Sequence, residues 1–150
     1  MRIPLNERNL PNYTKGEELF HMVSHIAGGV FAFVALLLCV IKSSLGGDGW
    51  KIASSVVYGV TMIVLYCLSS VYHGLKPSLG KKVLQVLDHC SIYFMIAGTY
   101  TPVLLAAIRP LYPVLAWVVF GLEWALTALA VTLTAIDLKQ YRVFSMFCYI

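Results

Sequence analysis

All four histidines of the chain stand at the ends of long apolar runs, and carboxylates stand with them. Glu17, Glu18, His21 and His25 open the first run, Ser69 and His73 close the second, and Asp88 and His89 open the third. An imidazole and a carboxylate that meet in a low-dielectric setting are the ligand set for zinc, which lowers the pKa of a bound water to about 7 and makes it a nucleophile. A structural zinc takes about four protein ligands and a catalytic one about three plus water. His73 with Asp88 supplies half of such a site. The i, i+4 pair His21 and His25 is a second candidate half, because that spacing puts two ligand types on one helix face.

Helical spacing sorts the neighbours. Glu17, His21 and His25 step by four along one stripe, Tyr66, Ser69 or Ser70 and His73 form another, and Asp88 shares a face with Ser91, Ile92, Met95 and Thr99. Each group also has a plainer reading. A histidine one turn inside a membrane helix, such as His21 or His89, can sit near headgroups and donate to a backbone carbonyl. Glu17, Glu18 and Asp88 suit the positive end of a helix dipole, and His73 before a glycine suits an interface. Charged residues are expensive within a bilayer and tend to be paired and inward-facing, which favours a shared polar cluster over separate accidents.

The elements that must position these groups are membrane helices. Of 150 residues, 59% are hydrophobic and only 12% charged, with a mean hydropathy of +0.80. A soluble domain carries about 25% charge, so this chain cannot cover a water-exposed surface. Disordered, collagenous, coiled-coil and disulfide-scaffold classes are excluded on the same grounds. A net charge of +4 gives no case for a nucleic-acid partner; membrane lipids are the expected surroundings. Cys39, Cys67, Cys90 and Cys148 lie in apolar stretches without a CxxC pair and read as buried thiols.

The expected fold is all-α and integral to the membrane. A polar tail covers residues 1–18, and the membrane domain covers 19–150. Spans are expected at 19–41, 52–72, 83–108 and 111–135, with the start of a fifth at 143–150 that is too short to cross. The first is too long and too late for a cleavable signal. Glycines and Trp50 mark the loop after it, and residues 74–82, with Lys76, Lys81 and Lys82, read as a solvent-facing loop. The tail and the loops on its side hold eight of the eleven Lys and Arg residues, so the N-terminus is expected in the cytoplasm. Pro102 removes the donor for the Gly98 carbonyl, which predicts a kink, with Gly98 and Thr99 at a helix contact and Gly28 and Gly29 at another. Glu123, the acidic residue of the fourth span, is expected to face the bundle interior.

Glu17, Glu18, His25 and Gly28, the run from Ser69 to His73, Asp88 and His89 with Ile92 and Tyr93, and AGTYTP at 97–102 together resemble the hemolysin III family, which belongs with the progestin and adipoQ receptors. The likeness covers residues 17–142. It implies a seven-helix bundle with a cytoplasmic N-terminus, a bacterial inner-membrane location and a zinc site near the cytoplasmic face. In that site His73 is a metal ligand, Ser69 a helper, and Asp88 the carboxylate that holds the attacking water. The remaining ligands would be an HxxxH pair on a seventh helix. That helix is absent here, so the chain is expected to be a fragment with an incomplete zinc site. His21 departs from the family pattern, which more often has Asn there. Three functions follow: zinc-dependent hydrolysis of a lipid amide or ester, a pore-forming cytolysin, or a non-catalytic role in membrane lipid homeostasis. A buried His and Asp at one depth favour the first, and the spans show no continuous polar stripe to line a channel.

Overall fold

The computed structural model describes residues 4–136. Four long helices follow in order: α1 (Lys15–Leu45), α2 (Gly49–Gly74), α3 (Leu79–Pro102) and α4 (Pro113–Ile136). There is no strand among the described residues. All four helices, with α3 continued through residue 108, are long and apolar enough to cross a membrane, and the chain is a multi-pass integral membrane protein. The 137–142 loop and the apolar run 143–150 lie outside the described residues.

The helix boundaries follow local chemistry. The α1 helix begins four residues before the apolar run because Thr14 and Glu17 form a capping box: Glu17 N–H donates to Thr14 Oγ1 at 3.2 Å, and Thr14 N–H donates to Glu17 Oε2 at 2.7 Å. Asp48 caps α2 through Trp50 N–H at 3.0 Å. Ser78 caps α3 through Lys81 N–H at 3.1 Å, and Pro113 takes the first position of α4, where no intrahelical donor is needed. After Pro102 the chain leaves α-helical register. It runs as a π-helix over Val103–Ile108, and Arg109 N–H reaches back five residues to the Leu104 carbonyl at 2.8 Å.

Each helix packs on its neighbour in sequence. The buried residues concentrate on α2 and α3, whereas α1 buries only Ala32. Small residues set the contacts. Gly28 lies against the Tyr66 ring, Gly59 against Leu36, and Gly98 against Thr61, each so close that a Cβ would overlap its neighbour. Expected contacts at Gly28 and Gly98 are therefore present, and a third at Gly59 joins them. The Tyr93 hydroxyl meets Thr134 Oγ1 at 3.0 Å, and Trp124 Nε1 donates to Thr101 Oγ1 at 3.3 Å, which ties α4 to α3.

The tail is not a free leader. Leu5–Glu7 forms one 3₁₀ turn against α3, and the Arg8 guanidinium donates to the Ile136 carbonyl at 2.8 Å, at the negative end of the α4 dipole. At the opposite end, Arg109 pairs with Asp48 at 3.2 Å and lies 5.8 Å from the Trp50 ring, closing the α1–α2 loop onto the π segment.

Candidate functional site

The end of the bundle where α1 begins also holds the end of α2 and the start of α3, and a carboxylate, an imidazole and an ammonium meet there. Glu18 on α1 lies between two partners. Its Oε2 accepts from His73 Nδ1 of α2 at 2.7 Å, and its Oε1 accepts from Lys81 Nζ of α3 at 2.5 Å. Lys81 also donates to the Leu75 carbonyl at 2.9 Å and lies over the Tyr72 ring at 5.2 Å. The side chains of His73 and Lys81 are 9% and 4% exposed, and Glu18 is 21% exposed. Both side chains are largely buried, and the Lys81 ammonium depends on the carboxylate beside it.

Lys81 is a correction to the reading of residues 74–82 as a solvent-facing loop. Ser78 starts α3 inside that stretch, which places Lys81 in the first helical turn and turns its side chain toward Glu18. A serine three residues before the lysine was the available signal. Glu18, read from sequence as a dipole residue, is instead the hub. Its neighbour Glu17 plays the dipole part, turned back to cap Thr14 and away from the His21 and His25 stripe.

The histidines gather round His73. The His21 and His73 ring centroids are 4.7 Å apart, those of His25 and His73 are 5.9 Å apart and stacked, and Tyr13 flanks His21 and His73 at 5.7 Å each. The His25 and His73 rings lie nearly parallel and the His21 ring is tilted by 34° to His73. His25 Nδ1 moreover donates to the His21 carbonyl at 2.6 Å. His89 Nδ1 donates to the Gln85 carbonyl at 2.8 Å, the plainer reading of that residue.

Of the three singled-out site residues, Ser69 is buried on the last turns of α2, and Asp88 is half-buried on α3 within electrostatic reach of Tyr72, next to His73 in the chain. Ser91 Oγ donates to the Asp88 backbone carbonyl at 2.6 Å. The structure joins His73 to Glu18 and bonds neither Ser69 nor Asp88 to it. Among the described residues, no three His, Cys, Asp or Glu side chains are placed to hold one metal ion. Two openings flank the cluster. A polar cavity of about 570 Å³ runs from Asn9 and Asn12 to Glu18 and Lys81. An apolar groove of about 360 Å³ runs between α1 and α2 from Phe33 to His25.

Comparison with known proteins adds the relatives. The sequence model described as haemolysin-III related matches residues 13–150. The chain is 31% identical to the hemolysin-3 homolog of Bacillus subtilis, across 92% of this chain and 63% of that protein. It is also 31% identical to hemolysin-3 of Bacillus cereus, across 89% of this chain and 60% of that protein. The human monocyte to macrophage differentiation factor is 28% identical across 77% of this chain and 50% of its own length. The chain thus spans about three-fifths of its bacterial relatives and half of the human one. No solved structure matches it.

Proposed function

This chain belongs to the haemolysin-III related family, and on that premise we propose that its polar end is part of a zinc-dependent hydrolase site acting on the amide or ester of a membrane lipid. The observation that carries this reading is the state of His73. Its Nδ1 is engaged by Glu18, no described residue is bonded to Nε2, and the side chain is 9% exposed. A histidine held through one ring nitrogen presents the other as a ligand.

The described residues fit one corner of a zinc site. His73 would hold the metal, and the HxxxH pair that the family resemblance implies on a seventh helix would complete the set. Zinc supplies Lewis acidity toward a carbonyl oxygen and toward water. Asp88 would accept a proton from the attacking water and orient it, and Ser69, one turn before His73, would steady that arrangement. The excess of Lys and Arg on the tail side supports a position for this site at the cytoplasmic face. A seven-helix bundle in a bacterial inner membrane is the setting that the family resemblance implies.

The test is the metal content of the purified full-length protein, with the HxxxH helix included, and of its His73→Ala variant, read beside lipid amide hydrolysis. Zinc in the wild type that is lost in His73→Ala supports the site. Asp88→Asn is expected to keep zinc and lose about 10²- to 10⁴-fold in rate, the contribution of a positioned general base. A wild type without zinc would sink the hydrolase reading. Dye leakage from liposomes that survives both His73→Ala and Asp88→Ala would replace it with a metal-independent pore.

A further inference from the structure

The bond from His73 to Glu18 fixes more than the position of a ring. A neutral imidazole carries one proton, and the nitrogen that holds it is decided by what the ring meets. In water the side chain favours the proton on Nε2. Here a carboxylate oxygen stands 2.7 Å from Nδ1, and a carboxylate only accepts. The proton is therefore drawn to Nδ1 and the Nε2 lone pair is left open.

The carboxylate is itself held. Lys81 Nζ takes the other oxygen at 2.5 Å and is anchored by the Leu75 carbonyl at 2.9 Å, so Glu18 cannot turn away without leaving a buried ammonium unpaired. Glu17, one residue earlier, satisfies the helix start, which leaves Glu18 free for the interhelical role. Other groups close to the ring are His21, His25, Tyr13 and Tyr72, and these pack on it through their ring faces and edges.

We propose that Glu18 is the positioning residue of His73: it locks the Nδ1–H tautomer and aims Nε2 at the metal, and Lys81 holds Glu18 in place. This rests on the reading of His73 as a zinc ligand and extends it to two residues on two other helices. Carboxylate partners of ligand histidines typically account for about 10- to 100-fold in metal affinity.

The experiment uses the purified full-length protein in detergent with ¹⁵N-labelled histidine, metal-free for the tautomer measurement. Two-bond ¹H–¹⁵N correlation reads the His73 tautomer, and competition against a chelating dye reads zinc affinity. The wild type is expected to show Nδ1–H. Glu18→Ala is expected to move His73 toward Nε2–H and to weaken zinc about 10- to 100-fold, whereas Glu18→Gln, whose amide oxygen still accepts, recovers part of both. Glu17→Ala should change neither. His73 found as Nε2–H in the wild type overturns the proposal with no variant needed. So does an unchanged tautomer in Glu18→Ala, or a changed tautomer with undiminished zinc affinity. A wild type that takes no zinc while its tautomer follows Glu18 overturns the metal reading alone and supports Glu18 as the residue that orders His73.

Discussion

Gly98→Ala tests the contact that spaces α2 from α3, and with it the approach of His73 to Lys81. A Cβ at position 98 would lie 3.0 Å from Thr61 Cβ and 3.1 Å from Thr61 Cγ2, and would overlap Thr61 Oγ1 outright. Carbon atoms in contact sit about 3.5–4.0 Å apart. The helices must therefore separate by on the order of 0.5–1 Å, or Thr61 must rotate and give up its hydrogen bond to the Tyr58 carbonyl at 2.9 Å. Overpacking of this kind costs about 1–3 kcal/mol, and the better helix propensity of alanine returns about 1 kcal/mol. A net loss of about 0–2 kcal/mol is expected. Gly121→Ala in α4 is the matched control, since nothing lies within 4 Å of its would-be Cβ; it should be neutral or stabilising by up to about 1 kcal/mol. Thr61→Ala removes two of the three clashing atoms, so the double variant should recover on the order of 1 kcal/mol. Unfolding in mixed micelles of dodecyl maltoside and increasing SDS, followed by far-UV circular dichroism, reads all four proteins. Equal midpoints for Gly98→Ala and Gly121→Ala would refute the claim that this glycine sets the helix spacing.

Three other perturbations separate strong contacts from weak ones. Lys81→Met removes the more buried partner of Glu18; because Glu18 is about one-fifth exposed, the loss should be about 1–3 kcal/mol rather than that of a fully buried pair, seen as a lower SDS midpoint. Arg109→Gln breaks a pair in which both partners are about a quarter exposed, so it should cost under about 1 kcal/mol, and the cost should shrink further in high salt. Thr14→Ala opens the capping box at the start of α1; faster amide hydrogen exchange at Glu17 and Glu18 with the rest of α1 unchanged is expected, and uniform exchange across the helix would contradict a local cap.

The four described helices were legible, to within a few residues at their ends, because apolar runs, glycines and prolines are local signals. The loss of α-helical register after Pro102 and the close approach at Gly98 and Gly28 follow from equally local causes: a missing donor and a missing Cβ act where they stand. Partners were less legible. Nothing local says that the Cβ-less face of Gly98 meets Thr61, or that Gly59 meets Leu36. Lys81 was hidden by the ordinary association of lysines with loops, and its burial comes from Glu18, 63 positions away in the chain. The common level of Glu18 and His73 followed from span ends, but their bond depends on how far α1 and α2 are rotated about their axes, which no single helix encodes.

The hydroxyl groups of the helices bear on the choice between a site and a pore. Ser54 and Ser55 donate to the Lys51 carbonyl at 3.1 and 2.7 Å, Ser70 to Cys67 at 3.0 Å, Ser91 to Asp88 at 2.6 Å, Thr99 to Met95 at 2.8 Å, and Thr101 to Ala97 at 2.7 Å. Each hydroxyl is turned back on its own helix, the arrangement that lets a polar residue sit in lipid or in a packed interface without a water partner. An aqueous path needs the reverse, with polar groups directed along one continuous wall. In the described bundle the ionised and imidazole groups that reach across between helices are gathered at the two ends. The end without histidine holds only the Arg109–Asp48 pair and its aromatic neighbours. The tail end holds Glu18, Lys81 and the stacked imidazoles, where a polar cavity and an apolar groove also open. Charged and imidazole groups gathered at the bundle ends, with these hydroxyls satisfied on their own helices between them, accord with the interfacial site proposed above.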